Sequence, residues 1–124
     1  SAIVHAYAML KTIYNHRSYA IIRLVVNMAA NEAQAKAVAA KLANVSKQYL
    51  GRNLSFLGYI PRDPHVTQAI MQSQPFLVTY PNAPATKHVE ALAARLLHQH
   101  VDFAPRREGF LKRFAQSFGL ASNE

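Results

Sequence analysis

Two apolar runs set the limits on what this chain can fold into. Residues 19–26 (YAIIRLVV) and 54–60 (LSFLGYI) are dense in β-branched, aromatic and aliphatic side chains and lack strict polar alternation. That pattern predicts strands buried on both faces, as in parallel sheets covered by helices. Around them the spacing changes from strand-like to helical. Ile3, Tyr7, Leu10 and Tyr14 recur every three or four residues and predict a helix over Ala2–Tyr14, with Ser1 placed to cap it and residues 15–18 breaking it. A second helix is predicted over Asn31–Tyr49, with Asn31 as cap, Ala35, Val38, Leu42, Val45 and Tyr49 on one face, and Gly51 as its stop. Pro64 opens a short helix reaching about Ser73, Phe76–Thr79 reads as a brief extended piece, and the turn-rich YPNAPA leads into a helix over Ala85–His98 with Val89, Leu92, Ala93 and Leu96 inward. Helix, strand, helix, strand and further helices with short connections predict an α/β fold, a parallel sheet flanked by helices.

Composition narrows the function classes. At 124 residues with 51% hydrophobic content the chain has the makings of a core. Without cysteine there is no disulfide framework, thiolate metal site or cysteine nucleophile. No apolar run approaches the roughly 18–20 residues that span a bilayer. Fourteen Lys and Arg against six Asp and Glu leave a formal charge of +8, which attracts phosphate, nucleic acid or an anionic membrane without choosing among them. Two strands are too few to cover the apolar faces of four helices, and the sequence starts at Ser1 within a helical pattern. Further strands are therefore expected upstream, with self-association over an exposed sheet edge as the alternative.

In open parallel sheets, ligands bind beyond the carboxyl ends of the strands. The first run ends at Asn27, whose amide carries one acceptor and two donors and can read the edge of a purine. The second ends at Pro61, which stiffens the backbone and leaves the peptide groups of Arg62 and Asp63 to meet the same ring. Singly, a strand-ending Asn is also an ordinary turn residue, and Pro-Arg-Asp is also a helix start with Asp63 as cap. Together they describe an adenine clamp.

Asn at one strand end and Pro-x-Asp at the next resemble the adenine-recognition segments of the MinD/ParA/nitrogenase-iron-protein ATPases. AYAMLK (6–11), VVNM (25–28), YLGRNLSFLGYIPRD (49–63), AIMQSQPFLVTYPNAPAT (69–86) and ALAARLL (91–97) look like successive blocks of the FlhG/FleN regulators of flagellar number and placement. The likeness covers residues 1–100 and implies the C-terminal half of a P-loop NTPase with a Rossmann-like sheet. It implies ATP or ADP as ligand, with Asn27 contacting the base through its side chain and Pro61, Arg62 and Asp63 mostly through backbone. The chain departs from that family in having no P-loop lysine, second signature lysine, Mg-binding aspartate or water-positioning aspartate. Where relatives carry Asp before the AYALIK block it has His5. No catalytic residue is assigned, and the chain is expected to be inactive in hydrolysis alone, with Mg held only by the intact protein.

The six histidines do not assemble a metal motif: His98 and His100 fall on different helix faces and no HExxH spacing occurs. The tyrosines and phenylalanines at 49, 56, 59, 76 and 80 read as packing groups. Residues 101–107 read as a linker, and 108–120 as a basic amphipathic helix in which Phe110, Phe114 and Phe118 recur every four residues beside Leu111, Lys112 and Arg113. Such a helix suits an anionic membrane surface, with docking on protein as the alternative. GFLKRF resembles the membrane-targeting helix of MinD. The resemblance thus implies a cytoplasmic switch, peripherally associated with the inner face of the cell membrane. It implies an ATP-dependent homodimer, with the flagellar signal-recognition-type GTPase and switch-complex proteins as partners and nucleic acid not expected among them. The rival readings are a MinD-type division-site or ParA-type partitioning ATPase, and a non-enzymatic basic module binding membrane or nucleic acid.

Overall fold

The computed structural model describes residues 1–100. The linker and amphipathic-helix readings for 101–107 and 108–120, with Phe110, Leu111, Lys112, Arg113, Phe114 and Phe118, lie outside the described residues. The elements in order are α1 (Ala2–His16), β1 (Arg23–Ala29), α2 (Glu32–Val45), a π-helical turn (Ser46–Leu50), β2 (Ser55–Pro61), α3 (Pro64–Met71), α4 (Phe76–Thr79) and α5 (Pro84–His100). The parallel strands β1 and β2 pair in a two-stranded sheet with helices between and around them. No helix among the described residues is long and apolar enough to cross a membrane. The chain divides into two compact units, Ser1–Tyr59 and Ile60 onward.

In the first unit, α1 starts where Ser1 accepts the Val4 amide at 3.4 Å. Its inward stripe places Leu10 and Tyr14 in a core with Leu42, against which Ile3, Tyr7, Ile22, Leu24, Leu50 and Leu54 pack. Strand β1 begins at Arg23, not at Tyr19, because the first half of the apolar run has no strand beside it among the described residues; Tyr19 and Ile21 are 84% and 74% exposed. Helix α2 is capped by Asn31, whose side chain accepts the Gln34 amide at 2.8 Å, while Gln34 Oε1 accepts the Ala30 amide at 2.6 Å. This is a reciprocal box of the kind that satisfies orphan donors at a helix start.

The buried face of α2 is turned from the predicted one. Ala35, Ala39, Leu42 and Ser46 are buried, Val38 and Val45 lie at its margin, and Tyr49 is 66% exposed. Small side chains on the inner face let α2 approach β1 closely, and the wider π-helical turn carries Tyr49 outward to meet Tyr7 edge-on at 6.3 Å. Ser46 donates to the Arg52 carbonyl at 2.9 Å, and Gly51 closes the turn in the left-handed region at φ 65.

In the second unit, Pro64 at the first position of α3 and Asp63 as its cap follow the sequence reading. The segment 76–79 is helical, not extended: the amides of Val78 and Thr79 donate to the Pro75 carbonyl at 3.2 and 3.1 Å, and the Thr79 hydroxyl adds a third bond at 3.1 Å. Leu92 of α5 is buried and Val89 and Ala93 are half-buried, but Leu96 is 42% exposed, so the inward stripe stops one turn earlier than predicted.

Candidate functional site

Asn27 does not terminate the first strand; it lies inside β1, with Met28 and Ala29 still to come. Its side-chain oxygen accepts the Met28 amide at 2.9 Å. That bond accompanies an unusual backbone: Met28 has φ 57, a conformation costly for a residue with a Cβ. A left-handed residue beside a polar side chain at a strand end is the kind of strain that collects at binding sites. One lone pair of the Asn27 oxygen is thus engaged locally, and its two N–H donors and second lone pair carry the remaining recognition capacity. Asn27, Met28 and Gln34 are among the residues lining a cavity of about 410 Å³ in the first unit.

Pro61, Arg62 and Asp63 belong to the second unit, at the end of β2 and the start of α3. Pro61 is half-buried and Arg62 exposed. Asp63 is buried, and its carboxylate is the organising group of this unit. Oδ1 accepts the His65 amide at 3.0 Å and meets His65 Nδ1 at 2.7 Å, while Oδ2 accepts the Ala85 amide at 2.9 Å. One carboxylate therefore caps the starts of α3 and α5 together, where orphan amide donors and the positive ends of two helix dipoles converge. Burial pushes the Asp63 carboxyl up, but the Ala85 and His65 amides and the His65 ring more than offset it and hold it below its ordinary value. The side chain follows the capping reading of Pro-Arg-Asp. The backbone groups of residues 61–63 stay the candidate contacts for a base.

Two residues gain a place that the sequence reading did not give them. His65, read as one of several scattered histidines, is anchored by Asp63 and packs its ring against Tyr80 at 5.0 Å. Tyr80 in turn offers its carbonyl to the buried hydroxyl of Thr86 at 2.6 Å, fixing the YPNAPAT segment as the lead-in to α5. His65, Tyr80, Asn82 and Pro84 line a shallow groove of about 290 Å³. The signal for His65 was available in the Asp-Pro-His order, which sets a residue two positions after a cap over that cap's side chain.

No family model matches the sequence. Two curated proteins do. The chain is 26% identical to the antiactivator FleN of Pseudomonas aeruginosa over 118 residues, 94% of this chain and 42% of that protein. It is 30% identical over 60 residues to the uncharacterized ATP-binding protein MJ0547 of Methanocaldococcus jannaschii, 47% of this chain and 23% of that protein. The chain therefore spans less than half the length of the curated relatives it matches.

Proposed function

We propose that this chain is the base-binding part of a MinD/ParA-type ATPase switch, similar in kind to the FlhG/FleN regulators. The observation that carries the reading is the likeness to FleN along nearly the whole chain, joined by a shorter likeness to a protein described as ATP-binding. Asn27, beside the left-handed Met28, supplies a polar contact for an adenine edge, and the backbone after Pro61 is a separate candidate base contact. ATP or ADP is the ligand; phosphate and Mg contacts come from parts of a longer protein, since the sequence carries no Gly-rich phosphate-loop motif. Base contacts alone give weak binding, because charge-assisted phosphate contacts provide most of a nucleotide's affinity.

In this reading ATP governs dimerisation and membrane association of the whole protein, which controls flagellar number or placement with the flagellar GTPase and switch-complex proteins. The basic segment 108–120 supplies a weak membrane contact that pairing of two copies strengthens. Titration of the chain and of Asn27→Ala with a fluorescent ATP analogue tests the base contact. Weaker binding by the variant supports it; equal affinities reject it. Liposome co-sedimentation with and without residues 105–124 tests the anchor, and unchanged lipid binding after deletion rejects it.

A further inference from the structure

At one end of the first unit, large apolar side chains stand exposed among cations. The connection from α1 to β1 turns where the Ala20 amide donates to the Arg17 carbonyl at 3.1 Å, which puts Tyr19 at its tip. Tyr19 and, just before the strand, Ile21 are both largely exposed. The connection from α2 to β2 includes the π-helical turn, on which Tyr49 is exposed as well. Each connection returns a helix to the start of a strand, so both lie at the amino ends of the two parallel strands. Ile22 and Leu50, next in the chain to Ile21 and Tyr49, pack against one core of Leu10, Tyr14 and Leu42. Both connections therefore cover the same core, while Asn27 lies toward the other end of β1. A layered sheet adds strands along its edges and helices on its faces, and neither addition covers these connections.

Charge accompanies these side chains. Arg17 and Lys47 are exposed, Lys47 Nζ donates to Asn53 Oδ1 at 3.2 Å, and the Arg52 guanidinium lies over the Tyr14 ring at 5.2 Å. Residues 1–59 hold seven Lys and Arg and a single acid, Glu32. Glu32 opens α2, away from these connections, and pairs with Lys36 at 3.0 Å. No carboxylate of this unit opposes the cations at the amino end. We propose that this end is a contact for an anionic lipid surface, with Tyr19, Ile21 and Tyr49 entering the headgroup region and Arg17, Lys47 and Arg52 meeting lipid phosphates. Tyrosine suits that depth because its ring is apolar and its hydroxyl stays wet. Lys and Arg lay their apolar stems in the interface and keep their charged heads at the phosphates. The exposed isoleucine favours lipid over nucleic acid, whose backbone and base faces are met by cations and aromatic rings. The contact is separate from segment 108–120 and from the nucleotide reading, and two weak contacts on one chain reinforce each other.

The chain has no tryptophan, so Tyr19→Trp sets a single fluorescent reporter at an exposed position where it leaves the core untouched. The test uses the full 124-residue chain with this substitution, at low salt and without nucleotide. Vesicles rich in phosphatidylglycerol are expected to shift its emission to the blue and shield it from acrylamide, and pure phosphatidylcholine vesicles are expected to do neither. Adding Arg17→Gln and Lys47→Gln should weaken partition onto the anionic vesicles at least about tenfold. Adding Ile21→Ser alone should weaken it at least about threefold. Co-sedimentation with anionic vesicles while the emission stays unchanged overturns the proposal, because another part of the chain then holds the membrane. Equal partition of the charge variant overturns it too. An emission change with duplex DNA and none with vesicles assigns the surface to nucleic acid and likewise overturns it.

Discussion

At the scale of single residues, Asp63 shows how one side chain can organise two helix starts, while its carbonyl accepts the Val66 amide at 3.1 Å. Its carboxylate satisfies amides at two helix starts and holds the His65 ring. Replacing it with alanine leaves buried donors without an acceptor and is expected to cost about 2–3 kcal/mol in urea unfolding. The pH dependence follows from the depressed carboxyl. The folded-state value lies below the ordinary 3.8, so the stabilisation is full above about pH 3.8 and is lost as pH falls through the lower folded-state value. The stability gap between wild type and Asp63→Asn should therefore be constant near neutrality and close on acidification below pH 3.8; a gap that persists into strong acid would show that charge is not the cause. Asn27 poses the converse case. It is exposed and makes one short local bond, so its alanine variant should unfold within about 0.5 kcal/mol of wild type.

At the scale of elements, the caps were legible and the junctions were not. Ser1, Asn31, Gly51, Pro64 and Asp63 announced their roles because capping depends on a residue type at one position. The helical turn at 76–79 was misread because four apolar residues carry no period, and its bonds to the Pro75 carbonyl depend on where the chain turns. The π-helical turn left no mark in the sequence, and with it the exposure of Tyr49 was hidden. The strand edge explains the short β1: apolar residues become strand only where a neighbour accepts their hydrogen bonds. One end of α3 can be improved. Ser73 has φ 53 where its amide donates to the Ile70 carbonyl at 3.0 Å and the Gln74 amide to the Ala69 carbonyl at 2.9 Å, a helix stop that favours glycine. Ser73→Gly should raise stability by about 0.5–1 kcal/mol. Gly51 is the mirror case. At φ 65, with no atom within 4 Å of an added Cβ, Gly51→Ala should cost about 1 kcal/mol from backbone strain alone, and Gly51→Asn less.

At the scale of the whole molecule, an α/β layer with few strands and many exposed apolar side chains is the picture of a part, and the lengths of the matched relatives agree with that. The sequence made the layer readable because buried parallel strands and amphipathic helices have different periods. It made the candidate base contacts readable only as residue types at strand ends. How fully the Asp63 carboxylate is taken up by caps depends on a bond between residues far apart in the chain, Asp63 to Ala85. The central proposal is that Asn27 supplies a polar contact to an adenine base. Amide chemical-shift mapping with millimolar adenosine monophosphate tests it most directly. Saturable shifts at Asn27 and Met28, weakened at least about fivefold by Asn27→Ala, are the predicted result; no saturable shift at these residues, or shifts unchanged by the substitution, would contradict it.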